Sequence, residues 1–126
     1  MRKPARLFSA CEKDALMEYP DIIEALPEAD IPFPATQVKT HALPSDHGLL
    51  IFFEFLQDFD LPAHSHGGQW GTVLDGSMDL TIGGETRTYT PGMTYNIPAG
   101  VIHSARIRAG AKVMDFFEEA DRYGTR

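Results

Sequence analysis

Apolar and polar positions alternate along most of this chain in short runs that predict β-strands. Residues 78–82, MDLTI, place apolar side chains on one face and polar side chains on the other, as in a half-exposed strand. Turn signals such as Asp75-Gly76, Gly83-Gly84 and Pro91-Gly92 recur roughly every eight to twelve residues. Because no long amphipathic helix separates the strands, the pattern indicates an all-β sandwich or barrel. The predicted strands cover residues 38–43, 49–56, 69–74, 78–82, 85–89, 95–97, 102–108 and 113–117.

The first 36 residues do not follow this pattern, and they are predicted to form an arm that packs on the barrel. Within the arm, Asp21 is the expected N-cap of a short helix over residues 22–26, which Pro27 ends. The proline-rich run that follows should be extended. The expected organisation is one domain, with the arm at residues 1–36, the barrel at 37–119 and a C-terminal tail at 120–126.

The predicted strand at residues 49–56, LLIFFEFL, is almost entirely apolar. Such a run is typical of a strand that is covered on both faces. The cover on its outer face is either the N-terminal arm or a second copy of the chain, and the sequence is equally compatible with both. The second alternative gives a physical reason to expect a homodimer.

The composition argues against several classes of partner. The 126 residues include 11 basic and 18 acidic side chains, a net charge of −7, which argues against binding to nucleic acid or to an anionic membrane. Cys11 is the only cysteine, so an intramolecular disulfide is impossible and a reducing compartment is expected. We find neither a secretory signal nor a run of roughly 20 apolar residues that could span a membrane. We therefore expect a cytoplasmic protein.

Candidate chemistry is concentrated in residues 61–76, LPAHSHGGQWGTVLDG. His64 and His66 are one residue apart, and on an extended strand their imidazoles would project from the same face. This arrangement suits two ligands of one metal ion. Taken alone, the pair is equally compatible with a polar stripe on a solvated strand.

A second stretch, residues 91–103 with the sequence PGMTYNIPAGVIH, carries another histidine after two turn signals. The two stretches together resemble the paired motifs of the cupin superfamily, whose members are small antiparallel β-barrels of the jelly-roll or double-stranded β-helix type. His64, His66 and Gly76 fit the spacing of the first motif, and Gly92, Pro98, Gly100 and His103 fit that of the second.

The chain departs from the cupin pattern at three positions. Gln69 stands where the family usually places a metal-binding glutamate, and it follows His66 more closely than is common. Near Phe59 the leading glycine of the first motif is missing, and Ile107 replaces the asparagine of the second.

The resemblance implies a metal site formed by His64, His66 and His103, with Gln69 as a possible fourth ligand. Three imidazoles suit a divalent transition metal such as zinc, iron, nickel or copper. Strand parity directs Trp70 away from Gln69, and His41 and His47 are expected to be solvated beside turns. The expected pocket residues are Gln69, Val73, Tyr95, Ile107, Phe53, Phe55 and Phe116.

The presence of Gln69 in place of a glutamate affects which organic ligand is predicted, as well as how the metal ion is held. A divalent ion held by neutral imidazoles and an amide keeps its full charge, so we expect an oxygen-rich or anionic organic ligand. Two classes of function fit this site. The protein is either a metal-dependent dioxygenase or isomerase, although no general base is evident, or a barrel that binds or senses a small molecule without turnover.

Overall fold

The computed structural model describes residues 17–126; predicted features in residues 1–16, including Cys11, lie outside this part of the chain. Within it, two antiparallel sheets pack face to face and form a β-barrel, so the predicted all-β class is confirmed. A four-residue helix, α1 (Asp21–Glu24), precedes the strands. The strands are β1 (Val38–Pro44), β2 (Leu49–Phe55), β3 (Phe59–His64), β4 (Gln69–Asp75), β5 (Met78–Ile82), β6 (Glu85–Tyr89), β7 (Thr94–Ile97), β8 (His103–Ile107) and β9 (Lys112–Phe117).

The order of the strands brings distant parts of the chain together. The larger sheet has the order β1-β2-β9-β4-β7, and the smaller sheet has the order β3-β8-β5-β6. Antiparallel pairing of β3 with β8 places His64 opposite His103. Pairing of β4 with β9 places Gln69 opposite Phe117 and Gly71 opposite Asp115. The two predicted motifs therefore meet inside one end of the barrel.

Alternation along the strands fills the space between the sheets. In β2, Leu49, Ile51 and Phe55 are buried and face inward. In β9, the buried inward residues are Val113, Asp115 and Phe117. Phe116 has the opposite parity and its side chain is 43% exposed on the outer face. Its prediction as a pocket residue is therefore wrong.

Part of the N-terminal arm covers the outer face of β2. The buried ring of Tyr19 packs edge-on against Phe52, with 5.6 Å between ring centroids. Its hydroxyl donates a 2.7 Å hydrogen bond to the carbonyl oxygen of Phe53. The N-terminal arm, one of the two covers expected for this strand, is therefore present. Trp70 and Phe116, on neighbouring strands, are exposed. The homodimer stays a prediction.

The helix is shorter than the predicted span and begins differently. Asp21 is its first residue, and Pro20 occupies the N-cap position without a side-chain cap. The carbonyl oxygen of Pro20 instead accepts hydrogen bonds from the amides of Ile23 and Glu24. In residues 17–126 we find no helix with the length and apolar character needed to cross a membrane.

Residues after β9 return to the proline-rich run and are tied to it. Ala29 and Thr125 form an isolated antiparallel bridge. The guanidinium of Arg126 donates to the carbonyl oxygens of Ile31 at 2.9 Å and Phe33 at 2.6 Å. The C-terminal residues are thereby held against the end of the barrel that carries the histidines.

Candidate metal centre and its cavity

The three predicted histidines come together at one end of the barrel. His64 is the last residue of β3, His103 is the first residue of β8, and their ring centroids lie 4.2 Å apart. His66 lies beyond β3, in the connection to β4, so the prediction that both motif histidines share one extended strand is wrong. One ring nitrogen from each histidine lies within 4.8 Å of the others.

Hydrogen bonds to the backbone determine which ring nitrogens are free. The Nδ1 atoms of His64, His66 and His103 contact the carbonyl oxygens of Pro62 at 2.8 Å, Gly67 at 2.8 Å and Val101 at 3.0 Å, respectively. Because a carbonyl oxygen can only accept, each Nδ1 carries a proton and donates. Each neutral ring then has its lone pair on Nε2. Histidine ligands of metal ions are usually oriented in this way, by a hydrogen bond from the other ring nitrogen to a group that does not touch the metal.

The local electrostatics also favour neutral imidazoles. Burial lowers the pKa of His66 and of His103. The positive charge of Arg122 and the neighbouring histidines lower both pKa values further. Neutral rings are the form that binds a metal ion.

The nitrogen positions fit a metal ion. Nε2 of His66 and Nε2 of His103 lie 3.1 Å apart. Two unprotonated nitrogens cannot hydrogen-bond to each other, whereas ligands about 2.1 Å from one tetrahedral ion lie roughly 3.4 Å apart. The donor set therefore fits a divalent transition metal better than it fits a pair of hydrogen-bonded rings.

A cavity of about 290 Å³ lies next to the histidines, between the two sheets. Five of the predicted pocket residues line it: Gln69, Tyr95, Ile107, Phe53 and Phe55. Val73 faces inward, as parity predicted, but it is packed in the core and does not line the cavity. Apolar side chains that the sequence did not suggest complete most of the wall, including Phe33, Phe59, Leu61, Leu80, Ile97 and Phe117.

The Cupin domain family model matches residues 53–117, just over half of the 126-residue chain. The chain belongs to the cupin family. The predicted resemblance and the barrel that it implied are both confirmed. A search of curated proteins finds no match to this cupin.

Solved structures share the fold of this cupin. An RmlC-like cupin from Shewanella frigidimarina aligns with a TM-score of 0.66 and 21% identity, over 76% of this chain and 86% of that one. KdgF from Halomonas sp. aligns with a TM-score of 0.61 and 18% identity, over 73% and 86%. An oxalate decarboxylase variant from Bacillus subtilis aligns with a TM-score of 0.64 and 15% identity, over 79% and 29%.

The cupin also contains a buried carboxylate that sequence reasoning missed. Asp115 lines the cavity and accepts hydrogen bonds from Tyr95 Oη at 2.6 Å and from the side chain of Gln69. Burial raises the pKa of Asp115 to about 6, although these two hydrogen bonds lower it. The network needs Gly71, because a Cβ there would lie 2.5 Å from Tyr95 Oη and closer still to Asp115 Oδ1.

Two residues after β9 also line the cavity of this cupin. Arg122 and Tyr123 lie in the segment that was expected to be only a tail. The centre of the Arg122 guanidinium is 4.9 Å from the Tyr123 ring centroid and 5.9 Å from that of Phe117. No spacing in the sequence indicates this placement, because it depends on the return of the chain to the proline-rich run.

The remaining predicted histidines and the motif tryptophan fall into different environments. His41 was expected to be solvated, but it is only 6% exposed, and neither ring nitrogen has a hydrogen-bond partner in residues 17–126. It faces the outer side of β1, where Tyr19 covers it. His47 is exposed, and Trp70 points outward, as predicted.

Proposed function

We propose that this cupin holds one divalent transition-metal ion through Nε2 of His64, His66 and His103 and binds a small organic ligand in the adjoining cavity. The observation that carries this proposal is the convergence of three unprotonated nitrogens at the polar end of an apolar cavity. When bound, the ion would supply Lewis-acid chemistry toward an oxygen atom of the ligand. Zinc, iron, nickel and copper suit imidazole ligands. Manganese is a further candidate, since structural work on Bacillus subtilis oxalate decarboxylase describes Mn(II) centres.

The other cavity residues have distinct roles in this proposal. The apolar wall excludes water from the ligand, which strengthens electrostatic interactions at the histidine end. Gln69 cannot exchange a proton, but its carboxamide interacts with Asp115 and lowers the pKa of that carboxyl group. Coordination by the Gln69 oxygen stays a prediction.

Asp115 favours catalysis, by oxidation or isomerisation, over binding alone. The sequence offered no general base, and Asp115 supplies a carboxyl group that lines the cavity. A carboxyl group with a pKa of about 6 can accept or donate a proton near neutral pH. The proposal is therefore a metal-dependent enzyme, with a non-catalytic binding barrel as the alternative outcome.

The first experiment is elemental analysis of untagged protein purified without added metal or chelator. We expect close to one ion per chain in the wild type and none in the double variant His64→Ala, His103→Ala. His47→Ala is the matched control, because this exposed histidine lies away from the site. Wild-type protein that stays metal-free after incubation with each candidate ion would contradict the proposal.

A second experiment separates an enzyme from a binding protein. Metal-loaded protein is incubated with a panel of enediols and diketones while oxygen uptake and absorbance are followed. Turnover that is lost in Asp115→Asn but kept in Asp58→Asn supports catalysis with Asp115 as the acid or base. Saturable binding without turnover supports the sensing barrel. The homodimer and the cytoplasmic location stay predictions from the sequence.

A further inference from the structure

Arg122 differs from every other arginine in the described part of the chain. Arg87, Arg106, Arg108 and Arg126 each have a carboxylate oxygen within 4.0 Å. Arg122 forms none of the ion pairs found among residues 17–126, and its buried Nε has no hydrogen-bond partner. A buried N–H group without an acceptor is unfavourable in a folded protein.

Arg122 is placed where a ligand in the cavity would supply the missing hydrogen-bond acceptor. Its side chain lines the cavity together with the three histidines. The aromatic rings of Phe117 and Tyr123 hold the guanidinium by cation–π contacts, which leave its N–H edge available. A guanidinium presents its donors as a planar fork that matches the two oxygens of a carboxylate.

The charges around the cavity are also unbalanced. Among residues 17–126, Asp115 is the single acidic residue that lines it, and its carboxyl group is already engaged by Tyr95 and Gln69. The histidines are neutral in the form that binds a metal ion. The part of the chain that the structure describes therefore gives Arg122 no counter-ion in the cavity, and a bound divalent ion would add further positive charge.

The rest of the cavity wall determines which chemical groups can be attached to the anionic group of the ligand. Phe33, Phe53, Phe55, Phe59 and Leu61 leave few polar partners away from the histidine end. The hydroxyl groups of a polyol would lose their hydrogen bonds to water against this wall, whereas an aryl or alkyl group is favoured there. A cavity of about 290 Å³ suits a compound of roughly ten non-hydrogen atoms.

We infer that Arg122 binds the carboxylate of an apolar monocarboxylic acid whose aryl or alkyl body occupies the cavity. The inference rests on the proposed function because it places the ligand in the same cavity, but the contact with Arg122 does not require the metal ion.

The test compares 3-phenylpropionate with its neutral analogue 3-phenylpropanamide by titration calorimetry. Both compounds are titrated into wild-type protein, Arg122→Met, Arg122→Lys and the control Arg87→Met, with chelator and with zinc. Arg122→Met keeps an apolar stem against Phe117 and Tyr123, and Arg122→Lys keeps the charge. Arg87→Met makes the same change of charge at an exposed pair with Glu85.

We expect wild-type protein to prefer the acid over the amide, with or without zinc. Arg122→Met should weaken binding of the acid roughly 10- to 100-fold and leave binding of the amide unchanged. Arg122→Lys should retain part of the preference, and Arg87→Met all of it. Equal binding of acid and amide, equal loss of both in Arg122→Met, or no binding of the acid at millimolar concentrations would each overturn the inference.

Zinc affinity provides a second measurement, which would not change if Arg122 served only to stabilise the fold. Removal of a positive charge beside the site should raise the zinc affinity of Arg122→Met severalfold in the absence of acid. In the wild type, the acid and zinc should strengthen each other's binding by the same factor. If zinc does not bind but the acid preference persists and depends on Arg122, the proposed metal function fails while this inference stands.

Discussion

Tyr95 Oη donates a 2.6 Å hydrogen bond to Asp115 Oδ1 inside the barrel, where both side chains are buried. Burial is the largest cause that raises the pKa of each group, and the Asp115 charge raises that of Tyr95 further. An ionised Asp115 is therefore unfavourable in the folded protein even though it is well hydrogen-bonded.

The raised pKa of Asp115 predicts how the free energy of unfolding depends on pH. The pKa of Asp115 is about 6 in the folded protein against an ordinary value of 3.8, so folding favours its protonated form. The resulting stabilisation is complete below pH 3.8 and is lost as pH rises through 6. From pH 4 to pH 7, the free energy of unfolding of the wild type should fall by roughly 2–3 kcal/mol relative to Asp115→Asn.

Urea unfolding of both proteins at a series of pH values tests this prediction. Comparison with the variant matters because the lowered pKa values of His66 and His103 act in the opposite direction, destabilising the fold below about pH 6.5. Both proteins share that contribution, so it cancels in the difference. Parallel stability curves would show that Asp115 titrates normally.

Gly71→Ala should destabilise the protein by roughly 1–3 kcal/mol, because the added methyl group would overlap the Tyr95–Asp115 pair. Gly124→Ala is the matched control, since a Cβ at that position meets nothing within 4 Å. Thermal and urea unfolding measure both effects. Equal stability of the two variants would mean that the pair moves aside at no cost.

His41→Leu should stabilise the protein by roughly 1–2 kcal/mol, because it removes two buried ring nitrogens that have no partner among the described residues. The leucine would still pack against Tyr19. His47→Leu, at an exposed position in the connection between β1 and β2, should leave the unfolding midpoint unchanged. A loss of stability in His41→Leu would indicate that the histidine has a favourable interaction which the static structure does not contain.

Gln69→Glu should have opposite effects with and without metal. In chelator, it places a second carboxyl group beside Asp115, so the melting temperature should fall at neutral pH. With zinc, the new carboxylate neutralises part of the ion's charge, so the stabilisation by zinc should exceed that of the wild type. Gln57→Glu, an exposed substitution with the same change of charge, is the control. Unchanged zinc affinity and an unchanged preference for anions would refute the electrostatic role assigned to Gln69.

Much of the barrel could be predicted from the sequence because its signals are local. Glycine turns such as Gly83-Gly84 have the positive φ angles that hairpins require, and the strand boundaries on both sides agree with the predicted ones. The spacing of the histidines also identified the cluster, although His66 reaches it from a loop. The side chain of Gln69 lies in the cavity, as expected.

The errors have two physical causes. In β9 the sequence VMDFF is apolar at positions of both parities, so alternation could not decide between Phe116 and Asp115 as inward residues. A charged residue in the core is unusual, which favoured the wrong choice. The burial of His41 and the placement of Arg122 depend on contacts with Tyr19 and with the proline-rich run, which lie far away in sequence.

The attachment of the C-terminal residues to the proline-rich run links occupancy of the cavity to local opening. The amide of Asp30 donates to the carbonyl oxygen of Gly124, and the amide of Arg126 donates to that of Glu28. These hydrogen bonds join the segments that carry Phe33 and Arg122, so a ligand held by both should slow their separation. Amide hydrogen exchange at Asp30 and Arg126 can therefore detect a compound that contacts both segments, whether or not it is turned over.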